Sequence, residues 1–274
     1  MMKLNINVDS KIAVISAFSF AQHVHDLGKT IPTGGTGALW FRGQADAGWE
    51  LKPSIGRHVS HGGLFDPSKP RDTFYQTESV MLQRFKRDGY PFVQRLLTDW
   101  EAITLGQHHQ LPTRLLDWTS NPLVGLFFAA DTQSDADGAV YAYRPRNIWD
   151  HHISMFPGQN PKNPDVLDPL KIRGIKSVFP MLLADRLIAQ SGGFTIQEPL
   201  VDLMARGDEE FDDASLDILE IIKWTVPKNA KHQVLEELQR VSVNRRTLFP
   251  GLDGVGYGLR IQERFRRALG TWKL

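Results

Sequence analysis

The chain has 274 residues, no cysteine, and 32 Lys and Arg against 31 Asp and Glu, for a formal charge of +1. That excludes a disulfide scaffold, a thiol nucleophile and a cysteine-ligated zinc site, and it gives no whole-chain signal for a polyanion. The 41% of hydrophobic residues is enough for a sizeable core.

No apolar run reaches the roughly 18–20 residues that span a bilayer, and the N-terminus lacks the basic, apolar and small-residue order of a secretory signal. A cytoplasmic protein without membrane contact is expected. Residues 3–24 read as a short strand and then a weakly amphipathic helix. The stretch Thr33-Gly34-Gly35-Thr36-Gly37 has no Lys-Ser/Thr after it and leads into a strand, so it reads as a turn and not as a P-loop. Aromatic content makes residues 38–43 a strand, and residues 57–72, rich in Gly, Pro, His and Asp, an exposed loop. Helices are expected over 73–86 and 91–105, the second ending near Gly106.

Residues 115–118 read as a strand. Thr119-Ser120-Asn121-Pro122 then reads as a helix N-terminus, with a polar cap and Pro near the first turn, leading into a buried helix over 123–130. Residues 139–143 form a further strand, and residues 145–169 a long loop. Later strands are placed near 187–190, 194–196 and 219–226, and helices over 229–241 and 259–268. Many short strands with interposed helices indicate one mixed α+β domain with flanking helices.

Two signatures put polar residues inside apolar runs, where charge is rarely placed unless it is paired or lines a site. The first is Trp40-Phe41-Arg42-Gly43-Gln44; the second runs from Gln107-His108-His109 through Arg114-Leu115-Leu116-Asp117-Trp118-Thr119-Ser120. The planar fork of Arg42 suits a pyrophosphate, Gly43 admits close backbone approach, and Gln44 adds a neutral donor and acceptor. Arg42 also reads as one half of a buried ion pair, and Thr119 and Ser120 as plain helix caps. Arg114 and Asp117 read equally as a mutual salt bridge or as site residues. His108 or His109 suits a ligand contact or general base, since imidazole titrates near neutrality, or a simple helix-end contact. Trp40 and Trp118 suit either core packing or stacking on a base. His151 and His152 share no ligand spacing with the first pair, so no metal is expected.

These residues resemble the FRG domain family, named for the Phe41-Arg42-Gly43 triplet, over roughly residues 39–254. A more distant resemblance is to ADP-ribosyltransferases. It implies a split, mostly antiparallel sheet and NAD as substrate. It also implies an Arg on the first core strand that holds the NAD phosphates or ribose (Arg42), a hydroxyl element at the nicotinamide pocket (Thr119, Ser120), and a Glu on a later strand. At the matching late position this chain offers Gln190, with Asp117 and then Glu198 as substitute acids. On this basis the catalytic set is Arg42, His108, Asp117 and Gln190. The cofactor-binding set is Arg42, Gly43, Gln44, His109, Arg114, Thr119 and Ser120.

The resemblance implies an ADP-ribosyltransferase-like toxin or anti-phage defence effector acting on a macromolecule such as RNA, DNA or protein, with a neutralising protein partner. A metal-assisted nuclease and a non-catalytic nucleotide-binding module stay open beside it. The Arg245-Arg246 pair and Arg260, Arg264, Arg266 and Arg267 read as a solvated helix face or a nucleic-acid contact. Residues 208–220 are acidic. The expected organisation is an extension over 1–30, a catalytic domain over 31–254 and a basic helix over 255–274.

Overall fold

Period-two alternation of apolar side chains decides how the strands face. A computed structural model describes residues 5–30, 39–57, 72–132, 135–145, 153–154, 168–179, 188–198, 200, 202–204 and 218–268. Within them one sheet contains β1 (Asn5–Ala13), β2 (Trp40–Gln44), β3 (Leu115–Thr119), β4 (Gly138–Pro145), β5 (Ile153–Ser154), β6 (Gly174–Phe179), β7 (Gly192–Glu198) and β8 (Ile218–Val226). Their spatial order is β1-β8-β4-β2-β3-β7-β6-β5. The two outermost pairs, β1 with β8 and β5 with β6, are parallel, and the inner pairs are antiparallel. The expected mixed, mostly antiparallel architecture is what forms.

The helices are α1 (Ala17–Thr30), α2 (Asp72–Val93), α3 (Asp99–His108), α4 (Pro122–Ala130), α5 (Lys231–Arg240), α6 (Arg245–Leu248) and α7 (Leu252–Ala268). Phe41, Val140, Ala142, Ile222 and Trp224 share one face of the sheet, buried with Phe20 of α1, Leu126 and Phe127 of α4 and Val234 of α5. Farther along, Leu115, Phe194, Ile196 and Val178 pack with Leu82 of α2 and Trp100 and Ile103 of α3. The opposite face carries Trp40, Leu116, Trp118, Tyr141, Tyr143 and Ile221, covered by Leu51 and Leu203. Each fully buried large apolar side chain contributes about 1.5–3 kcal/mol.

Two glycines set how closely α4 lies on the sheet. A Cβ at Gly43 would overlap the Gly125 carbonyl oxygen and come within 2.5 Å of the Ala129 nitrogen, and one at Gly138 would overlap the Ala129 carbonyl. The helix therefore rests on bare backbone of β2 and β4. Gly43 serves this contact.

Several boundaries differ from the sequence expectations. Pro91 lies inside α2 and does not open the next helix. α3 instead starts at a capping box, in which the Thr98 side chain accepts from the Glu101 amide and Glu101 accepts from the Thr98 amide. The cap of α4 is Asn121, whose Oδ1 accepts from the Leu123 amide at 2.9 Å, with Pro122 following. Residues 188–189 are helical and 190–191 form a turn, so the described part of the strand placed near 187–190 is not a strand; β7 starts at Gly192.

β1 is an edge strand of the main sheet, paired with β8, and α1 packs into the core beside α4. α7 begins at Leu252, so the expected boundary at 254/255 falls within a helix. The Gly-rich turn at 33–37, His151, His152, residues 205–217 and most of the loops at 57–72 and 145–169 lie outside the described residues.

Candidate active site at the fork between β2 and β3

β2 and β3 share one register pair, Phe41 with Thr119. By contrast, β2 pairs with β4 from Trp40 to Gln44, and β3 with β7 from Leu115 to Thr119. The two strands are thus held firmly by their other neighbours and joined to each other at one point, which leaves an open fork beyond it. Arg42 follows the joining residue. Its Nη1 donates to the Asp117 carbonyl oxygen at 2.9 Å and lies 3.5 Å from Asp117 Oδ2. The guanidinium therefore bridges the two arms of the fork.

The Arg42 side chain is 14% exposed, and its buried Nε has no hydrogen-bond partner. Burial lowers its pKa from the ordinary arginine value, and the Asp117 carboxylate opposes that shift. Gln44 lies on the same face of β2. Its Nε2 donates to the Glu50 carbonyl at 3.2 Å, while its buried Oε1 lacks a partner. A buried charged donor with an unused N–H is costly, and supplying an acceptor from a ligand removes the cost.

Asp117 is the carboxylate at the fork, with 57% of its side chain exposed. Gln107, in the last turn of α3, donates from Nε2 to Asp117 Oδ2 at 3.1 Å. Thr113 donates to Gln107 Oε1 at 2.6 Å and accepts from the Leu115 amide at 3.2 Å. Thr119, 5% exposed, donates to the Gln190 carbonyl at 2.6 Å, and the Ser120 amide donates to the Ser191 carbonyl at 3.1 Å. Arg42 at the middle of β2 thus reaches Asp117 at the middle of β3, while Thr119 at the end of β3 holds the Gln190 turn.

Other expected site residues have different work. Arg114 is fully buried: its Nε reaches Glu78 at 2.6 Å, its Nη1 reaches Glu198 at 3.0 Å, and its Nη2 donates to the Pro169 carbonyl at 2.6 Å. It ties α2, β3, β7 and the turn at Pro169–Lys171 together, with its guanidinium engaged by protein groups. The same bridge engages Glu198, the second substitute acid, and replaces the supposed Arg114–Asp117 pair.

The Gln190 side chain donates to the Leu248 carbonyl at 3.0 Å, and no hydrogen bond joins it to Arg42. This corrects its placement as a strand residue facing the arginine. Trp118 is a core residue, donating to Thr195 at 2.9 Å and meeting the Tyr143 ring edge-on at 4.6 Å. Trp40 is packed against Gly193. His108 meets the His109 ring edge-on at 4.9 Å, and His109 is the exposed C-cap of α3. Arg245 pairs with Asp131 and lies 4.0 Å over the Tyr257 ring, so it is not a free nucleic-acid cation.

Arg57 and Tyr141 were missed by the sequence reading. Arg57 donates from Nε to the Lys52 carbonyl at 3.1 Å. Burial first, and then the Arg42 charge, lower its pKa to about 10, so it stays cationic at neutral pH. Tyr141, on β4, is the register partner of Arg42, and burial with the nearby Asp202 charge raises its hydroxyl to about 12, keeping it neutral. Neither carries a sequence signal: Arg57 borders a polar loop, and Tyr141 looks like any aromatic in a strand. Among the described residues no group of three or more His, Asp or Glu side chains is arranged to hold a metal ion. No described helix is long and apolar enough to cross a membrane.

No curated protein and no solved structure matches the chain. The segment that holds Arg42, Arg57, Gln107, Arg114 and Asp117, residues 37–138, matches the model of the FRG domain family.

Proposed function

We propose that the fork between β2 and β3 binds the phosphates of NAD, and that the protein is an ADP-ribosyltransferase-like enzyme. In this reading it acts as a toxin or anti-phage defence effector on a macromolecule such as RNA or protein. The observation that carries the reading is Arg42, a shielded cation across the fork with an Nε that no protein acceptor takes. Arg57 adds a second cation whose pKa feels the first, and paired guanidiniums suit a pyrophosphate. The β2 arginine and the β3 hydroxyl lie on adjacent strands, and β7 follows next in the sheet, which supports two of the three elements that the resemblance implies.

In the step proposed, a nucleophilic oxygen or nitrogen of the target attacks the anomeric carbon of the nicotinamide ribose. The carbon–nitrogen bond to nicotinamide breaks, nicotinamide leaves with the bonding electrons, and the nucleophile releases its proton to solvent. Positive charge develops at the anomeric carbon, and the Asp117 carboxylate supplies the opposite charge beside it. Gln190 takes no part, because its amide is engaged at Leu248. That engagement favours a second reading, a nucleotide-binding module without turnover.

Calorimetric titration with NAD, followed by labelled NAD incubated with RNA, DNA and lysate, separates the readings. Tight binding with label transfer supports the enzyme, and binding without label transfer supports the module. Arg42→Ala is expected to weaken binding about 10- to 100-fold while the thermal midpoint moves little. A wild-type protein that binds no NAD, or an alanine variant that binds as well as wild type, overturns the proposal.

A further inference from the structure

We infer that Gln107 is a positioning residue for Asp117, holding Oδ2 so that Oδ1 faces a hydroxyl of the bound ligand; this rests on the fork being the ligand site. The orientation of the Gln107 amide follows from its neighbours. Thr113 Oγ1 accepts the Leu115 amide hydrogen at 3.2 Å, which leaves its own proton for Gln107 Oε1 at 2.6 Å. With its oxygen so engaged, the amide must turn its nitrogen to the other side, where Asp117 Oδ2 lies at 3.1 Å. A weaker contact of 3.5 Å from the same nitrogen to the Leu115 carbonyl fixes the tilt.

Both groups that reach the carboxylate converge on one oxygen. Arg42 Nη1 lies 3.5 Å from Oδ2, and Gln107 bonds the same Oδ2. Among the described residues none donates a hydrogen bond to Oδ1, and the side chain is 57% exposed. The carboxylate is therefore a one-oxygen acceptor with a fixed direction, next to the cation assigned to the phosphates. A sugar hydroxyl belonging to the same nucleotide is the donor that such an acceptor takes. The relay Leu115 amide, Thr113, Gln107, Asp117 starts from backbone of β3 itself, so the strand sets the aim of its own side chain.

The test compares Gln107→Leu, Thr113→Val and Thr113→Ser in the full chain, with kcat and KM for NAD measured separately. Loss of aim is expected to lower kcat about 10- to 100-fold in Gln107→Leu and Thr113→Val, with KM within about twofold of wild type. Thr113→Ser keeps the hydroxyl and is expected to stay within about twofold in both. A change confined to KM, or a serine variant as slow as the valine variant, overturns the inference. If the wild-type protein turns over no NAD, the functional reading fails and the relay is judged by the side-chain amide resonance of Gln107. That resonance is expected to move in Thr113→Val and Asp117→Asn and to hold in Thr113→Ser. An unmoved resonance in the first two refutes the relay independently of activity.

Discussion

At the scale of single residues, a polar side chain in an apolar run does one of two opposite jobs, and the two arginines of this chain separate them. Arg114 has no exposed surface and touches two carboxylates and a carbonyl; Arg42 keeps a little exposure and an unused donor. Burial raises the pKa of Glu78 despite the pull of Arg114, so removing the arginine strands a buried carboxylate. Arg114→Met is therefore expected to cost about 3–5 kcal/mol in urea unfolding, and adding Glu78→Leu to recover part of it. A loss below 1 kcal/mol (roughly the surface-pair scale) would show that the bridge is not structural. Gly43→Ala forces a methyl into the backbone of α4 and is expected to cost at least about 2 kcal/mol by the same measurement. The sequence marked all three positions as unusual without separating them. Their roles depend on Glu78, Glu198 and Gly125, which come from remote parts of the chain.

At the scale of elements, strands and buried helices were legible because β-branched and aromatic runs announce themselves, whereas ends and turns were not. Pro91 mimics a helix-opening proline. It is tolerated near the end of α2 because that helix closes two residues later, at Val93. The true start signal of α3 is Thr98 with Glu101, and that box also gives a pH prediction. A hydrogen bond from Arg95, first among the causes, holds the Glu101 carboxyl below its ordinary value of 4.5 despite partial burial. A lowered folded value means stability that is present above the ordinary pKa and lost as pH falls through the folded one. Glu101→Gln is expected to lower stability by about 1 kcal/mol at pH 7 and to converge with wild type as acid titrates the carboxyl through its lowered folded pKa. Thermal melts across pH check it, and a gap that persists unchanged in acid would assign the effect to packing. The Gln190 turn was read as strand because its apolar neighbours fit the pattern. Nothing local revealed that its amide would be claimed by the Leu248 carbonyl, distant in sequence.

At the scale of the whole molecule, the mixed antiparallel sheet followed from the alternation of short strands and helices, but its order did not. Neighbours such as β2 and β4, or β3 and β7, are joined by pairings that no local pattern encodes. The fork is a feature of that order: β2 pairs along its length with β4 and β3 with β7, while β2 and β3, neighbours in the sheet, exchange one pair. The same order constrains how the chain reaches its final form. β8 lies between β1 and β4, the first strand of the sheet and a middle one, and it is made after both. While the chain emerges from the ribosome, β1 has no partner and β4 presents a bare edge until residues 218–226 arrive to pair with both. Closing so long a loop before any pairing energy is gained makes folding slow. It also leaves an exposed strand edge that invites pairing between nascent chains, so assembly of the sheet waits on the completion of synthesis.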